Sequence, residues 1–209
     1  MAWPAVAGAA VAAGALAASA ALWPAVCERQ TSCAGQLAAY LDAALPRSMP
    51  YHNQGDPRWG GLAYAGGTLT SKGCGLCCAS MALSWWSREE VTPDGLLAAV
   101  GESCLTGGLN DMAKFGDAMG AWGVARSGAY YDIGEAVAEA RRGRVVFCSV
   151  AGRLGARSYG GHIVLLFSPD GSALSLMDPA CRENTREWSE AELLSVGGWK
   201  YFYSTWKEG

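Results

Sequence analysis

The chain has little of what nucleic-acid binding, metal coordination or repeat folding would require. Among 209 residues there are only two histidines, His52 and His162, and 16 Lys plus Arg against 19 Asp plus Glu, a formal net charge of −3. Without a basic excess there is no electrostatic footprint for a phosphate backbone, which speaks against nucleic acid as a partner. No self-similarity recurs at the 20 to 50 residue periods of solenoids and propellers. Cys74 and Cys77 have zinc-knuckle spacing, but with no second short-spaced pair and two histidines the donors for a structural zinc are lacking, and no metal or other cofactor is expected. What is abundant is apolar: 51% of the residues are hydrophobic and 28 are glycine, enough for one loop-rich globular domain with a sizeable core.

Charge is also missing from the first 26 residues, MAWPAVAGAAVAAGALAASAALWPAV. The tetrad Trp-Pro-Ala-Val begins at Trp3 and again at Trp23; on a helix rising 1.5 Å per residue that separation is about 30 Å, the thickness of a bilayer's hydrocarbon core. Tryptophan favours both membrane interfaces, so residues 1–26 read as a membrane anchor, with a signal peptide cleaved after Ala18-Ser19-Ala20 as the alternative. The domain is then expected to be held at the cell membrane on the extracytoplasmic side, or secreted. The side is weakly marked, since Arg29 and Arg47 by themselves lean the other way, whereas eight cysteines suit an oxidising compartment. Cys27 and Cys33 are the most plausible disulfide. Residues 27–50 read as a linker with a short helix, and the folded domain, 51–209, begins near Tyr51.

Within that domain caps announce the helices. Thr92-Pro93 opens a helix closed by Gly101; a second starts at Asn110, with Met112, Phe115, Met119 and Trp122 on one face; a third starts at Asp132; a fourth starts at Ser189, with Glu192 three residues on. Strands are expected over 144–150, 161–168, 173–178 and 199–205, which are β-branched, aromatic and aliphatic. Helices come first and strands second, an α+β pattern in which helices cover an antiparallel sheet.

The segment SKGCGLCCAS, residues 71–80, carries the densest chemistry. GLCCASMALSWW is small and apolar without proline, so it predicts a buried helix whose first turn begins beside Cys74. A helix N-terminus favours anions, hence thiolate, and Gly73 and Gly75 allow a substrate backbone to come close. Cys77 and Cys78, one turn in, read as small core residues. A Cys74/Cys77 redox dithiol is the alternative, although GGLAYAGGTLTSKG does not read as the buried strand that should precede one.

A nucleophilic cysteine needs a base, and His162 after Gly160-Gly161 opens a strand. If Pro169-Asp170-Gly171 forms a three-residue hairpin loop, His162 faces Asp178 directly; a two-residue turn would put them on opposite faces. Gln54 in YHNQGDPRWG is the candidate side-chain donor to an oxyanion.

In order and context, Gln54 in NQGDPRWG, Cys74 in SKGCG, His162 in GGHIVLL and Asp178 in MDPA resemble the double-glycine leader peptidases, family thirty-nine of the papain-like cysteine peptidases. The likeness spans about residues 51–206; Leu76-Cys77 departs from the Pro-Thr often found after Gly-Cys-Gly. It implies a papain-like fold with Cys74 as nucleophile, His162 as base and acid, Asp178 as its orienter and Gln54 in the oxyanion hole. The implied activity is amide hydrolysis through an acyl-thioester on Cys74, on peptides or on peptidoglycan. A non-catalytic peptide-binding module is the remaining alternative.

Overall fold

Apolar residues run unbroken through the later strands because the sheet they build is covered on both faces. The computed structural model describes residues 48–207. The anchor or signal segment, most of the linker and the Cys27/Cys33 pair lie outside the described residues.

The helical half comes first. A two-residue hairpin, β1 (Ala63–Tyr64) and β2 (Gly67–Thr68), runs into the single turn α1 (Leu69–Lys72) and then the 14-residue α2 (Cys74–Ser87), with Gly73 between them. Every residue of α2 from Gly75 to Trp86 is buried, as expected of a helix apolar all round. α3 (Pro93–Val100) starts as its sequence predicts, with Pro93 in the first turn and the Thr92 hydroxyl accepting from Gly95 N–H. A second small hairpin, β3 (Leu105–Thr106) and β4 (Leu109–Asn110), turns through Gly107 and Gly108, both at positive φ, and leads to α4 (Met112–Met119). Two expectations need correction here. Asn110 ends β4, and the cap of α4 is Asp111, whose carboxylate accepts from the N–H groups of Ala113 and Lys114. Trp122 lies beyond α4 in a 3₁₀ turn and is 40% exposed, while Met112, Phe115 and Met119 fill the core.

The second half contributes β5 (Val124–Arg126), α5 (Ile133–Arg141), β6 (Val145–Leu154), β7 (Arg157–Phe167), β8 (Leu174–Met177), β9 (Arg186–Trp188), α6 (Glu190–Ser195) and β10 (Trp199–Lys207). Six of these form one antiparallel sheet in the order β5-β10-β6-β7-β8-β9. The architecture is therefore α+β, but less segregated than expected: the short edge strands β5 and β9 carry too few residues to show periodicity, and α5 and α6 sit among the strands. Alternation assigns the faces. Phe147, Ile163, Leu165 and Phe167 belong to the core shared with α2, whereas Val146, Cys148, Val164 and Leu166 share a second core with Ala136, Val137 and Ala140 of α5 and Leu193 of α6. Each fully buried aliphatic side chain contributes about 1.5–3 kcal/mol, so the first core fixes the placement of α2 against β7 and the second that of α5 and α6 on the opposite face.

Candidate active site

Three elements converge on Cys74. α2 presents it as its first residue, half-buried, with Gly73 as the cap. A Cβ on Gly73 would lie 2.6 Å from the Leu69 carbonyl oxygen, so only glycine lets α1 turn so tightly into α2. β7 supplies His162, 5% exposed, and the residue after β8 supplies Asp178, fully buried.

The histidine and the carboxylate meet, though in a different register from the expected one. β7 and β8 pair Phe167 with Ser175 and Leu165 with Met177, through a loop longer than three residues in which Gly171 takes positive φ. Continuing that register sets Asp178 level with Val164, two residues along the strand from His162. A shift of two preserves the face, and the imidazole bridges the diagonal: His162 Nε2 lies 2.8 Å from Asp178 Oδ1. The longer loop is closed by Asp170, whose carboxylate accepts from Ser172 N–H and Oγ and from Ala173 N–H.

Asp178 is saturated with donors. Oδ1 also accepts from Ala180 N–H (2.9 Å), and Oδ2 accepts from the Tyr159 hydroxyl (2.7 Å) and Asn184 Nδ2 (2.8 Å). Its backbone is equally engaged, with N–H donating to Thr185 Oγ1 and the carbonyl accepting from Tyr51 OH. Burial of an unpaired carboxylate would raise its pKa; here the His162, Tyr159 and Asn184 contacts outweigh burial and hold it below the usual carboxylate range. Tyr159 does a second thing: its ring stacks on the imidazole, centroids 4.0 Å apart and planes 13° from parallel.

His162 is pushed the other way. Burial disfavours its charge, but Asp178 on one nitrogen and the Cys74 sulfur facing the ring raise its pKa to about 9. With Nε2 committed to Asp178, Nδ1 is left for Cys74. The arrangement sets a half-buried thiol at a helix N-terminus beside an imidazole that a buried carboxylate holds in place.

Gln54 is tied to both halves. Its N–H donates to the Pro179 carbonyl (2.8 Å), just past Asp178, and its Nε2 to the Thr70 carbonyl (2.6 Å), in the turn leading to Cys74. The second amide hydrogen of Nε2 is thus available to a ligand, and Oε1 is buried with no protein partner.

Neighbouring candidates fall elsewhere. His52 is buried against Trp59 and donates from Nδ1 to Ser80 Oγ (2.8 Å), which itself donates to the Cys77 carbonyl; burial holds its pKa down, and it packs against α2 away from the Cys74 thiol. Cys77 and Cys78 are fully buried, and burial pushes both thiols far up. This disfavours a Cys74/Cys77 dithiol, and all six cysteines among the described residues are unpaired. Cys78 has a role that its sequence did not suggest: its S–H donates to the Ile163 carbonyl (3.3 Å), fastening α2 to the strand beside His162.

Residues 64–192, more than half of the chain, match the family model described as papain-like cysteine protease AvrRpt2. The chain belongs to that family. It is a cysteine peptidase, and the α+β architecture with its six-stranded antiparallel sheet agrees with the papain-like fold. Cys74, His162 and Asp178 lie within the matched span, and Gln54 precedes it. No curated protein matches the chain. Sequence reasoning missed Tyr159, Asn184 and Asn110, which surround Cys74, His162 and Asp178. Single polar residues in strands and turns carry no periodic signal, and only the fold shows what they touch.

Proposed function

We propose that this peptidase cleaves peptide bonds with Cys74 as nucleophile, His162 as base and acid, Asp178 as the group that orients and charges the imidazole, and Gln54 as an oxyanion donor. The observation that carries the proposal is the continuous chain from the half-buried Cys74 at a helix N-terminus, through the imidazole, to a buried carboxylate with four donors on its two oxygens.

The Cys74 thiolate attacks the scissile carbonyl and a C–S bond forms. The oxygen becomes an oxyanion, met by the free hydrogen of Gln54 Nε2 and the Cys74 backbone N–H. As the C–N bond breaks, the His162 imidazolium gives its proton to the leaving amine. Neutral His162 then takes a proton from water, whose oxygen attacks the thioester and releases the acid, restoring thiolate and imidazolium.

The resemblance in NQGDPRWG, SKGCG, GGHIVLL and MDPA to double-glycine leader peptidases supports a peptide, of the leader-segment kind, as substrate. The apolar run 1–26 supports a domain tethered at the membrane or secreted. Among the described residues no helix is long and apolar enough to cross a membrane, and the run itself lies outside them.

The test is digestion of a peptide library and of purified cell-wall fragments by the full chain and its Cys74→Ala variant. Peptide cleavage lost in the variant is expected. Cleavage of wall fragments alone would move the substrate to peptidoglycan, and hydrolysis surviving in Cys74→Ala would overturn the nucleophile.

A further inference from the structure

The Cys74 sulfur has a second polar neighbour besides the imidazole. Asn110, at the end of β4, points its amide at the start of α2. Nδ2 donates to the Lys72 carbonyl at 2.8 Å and lies 3.8 Å from Cys74 Sγ. A primary amide carries two N–H donors, so one can serve the carbonyl and the other the sulfur. The amide cannot be turned over, because Oδ1 accepts from the Tyr64 hydroxyl at 2.7 Å. Burial raises the Tyr64 pKa well above the ordinary phenol value, keeping it a donor.

The fold makes room for this approach at one residue. A Cβ on Gly75 would stand 2.5 Å from Asn110 Cβ and 2.7 Å from its Cγ. Any other residue after Cys74 would push the amide away. A glycine in the first turn of a helix costs about 1 kcal/mol relative to alanine, and here that cost is offset by the side chain it admits.

We propose that Asn110 is a further catalytic residue of this peptidase: its amide donates a hydrogen bond to the Cys74 thiolate, so that the attacking sulfur is held and its charge supported by a neutral donor in addition to His162. The proposal rests on Cys74 being the nucleophile. A neutral donor differs usefully from a second cation. It favours the anion without competing with His162 for Asp178, and it can follow the sulfur into the thioester without leaving a stranded charge. The Tyr64-Asn110 pair also ties thiolate reactivity to the β3–β4 hairpin.

The experiment is alkylation of the full chain by iodoacetamide across a pH series, with labelling of Cys74 followed by peptide mass analysis. For Asn110→Ala, the rate at Cys74 is expected to fall about three- to tenfold at neutral pH and to converge with the parent at high pH, where the thiol is ionised without help. Tyr64→Phe, which keeps Asn110 but frees its amide to rotate, is expected to move the profile in the same direction by less, and it serves if Asn110→Ala does not fold. A purely structural role would change melting without moving the pH profile. Unchanged profiles in folded Asn110→Ala, or in Tyr64→Phe where it must stand in, overturn the role of Asn110. A parent in which Cys74 labels no faster than Cys77 overturns instead the assignment of the nucleophile.

Discussion

Tyr159 covers one face of the His162 imidazole while its hydroxyl reaches around to Asp178 Oδ2, so one side chain contacts both partners of the ion pair. Stacking on a cation and donating to its counter-ion both favour the charged state of the pair and restrict rotation of the ring. Tyr159→Phe keeps the stack and removes one donor, with an expected cost of about 1–3 kcal/mol in stability. Tyr159→Ala should cost more and lower kcat/KM further. Denaturant melts and peptide turnover on the two variants check this; equal turnover in Phe and Ala variants would deny the stack a role.

The pH dependence follows from the directions of two shifts. His162 is raised to about 9 by Asp178 and Cys74 against its burial, so its contribution to folding stability is complete below the ordinary histidine value of about 6.5 and is lost as pH rises through about 9. Asp178 is lowered, so its contribution is complete above the ordinary carboxylate value and lost as pH falls through the depressed one. Turnover should fall on the alkaline side near pH 9 as the proton donor is titrated, and the destabilisation caused by His162→Ala should shrink over the same range. Turnover still climbing beyond that point would contradict the assignment.

Reactivity should separate the three clustered cysteines. Cys74 is expected to alkylate well before Cys77 and Cys78, whose burial and raised pKa values protect them. Cys77→Ala and Cys78→Ala should remain active and lose about 1 kcal/mol each, Cys78→Ala more because it also releases the Ile163 carbonyl. His162→Ala should slow labelling of Cys74 and lower turnover by roughly 10²–10⁴-fold, while His52→Ala should affect melting and leave the labelling rate alone. Fast labelling at Cys77 is the result that fails here.

Replacing Asp178 with Asn tests the donor shell. From the sequence alone an amide is expected still to position the imidazole while stabilising the imidazolium poorly, costing turnover less than His162→Ala. The structure adds a penalty, because Asn184 Nδ2 donates to Oδ2 and cannot reverse while its Oδ1 accepts from Ala156 N–H. A side-chain amide at position 178 that keeps its oxygen on His162 would set NH2 against NH2, so Asp178→Asn is expected to lose about 1–3 kcal/mol as well. A melt unchanged from the parent would mean that the shell rearranges freely.

Local chemistry was legible without the fold. The glycine-flanked start of α2, the Thr92-Pro93 and Ser189/Glu192 caps and the apolar runs of β6, β7 and β10 could be read from the sequence because each depends on residues within a turn or a strand of one another; Cys74 and His162 stood out by residue type, one beside glycines at a helix start and the other as one of two histidines. Even the pairing of His162 with Asp178 was readable as a matter of face, since a hairpin shifted by two residues keeps the alternation. Tertiary structure decided the rest: the true length of the 168–174 loop, the edge strands β5 and β9, and the backbone geometry that turns Tyr159, Asn184 and Asn110 onto the site. Tyr159 stacks on a histidine three residues on in its own strand, where the β6–β7 pairing shifts register, and Asn184 reaches a carboxylate six residues back, both through irregular backbone that carries no period; Asn110 meets the sulfur only through the fold.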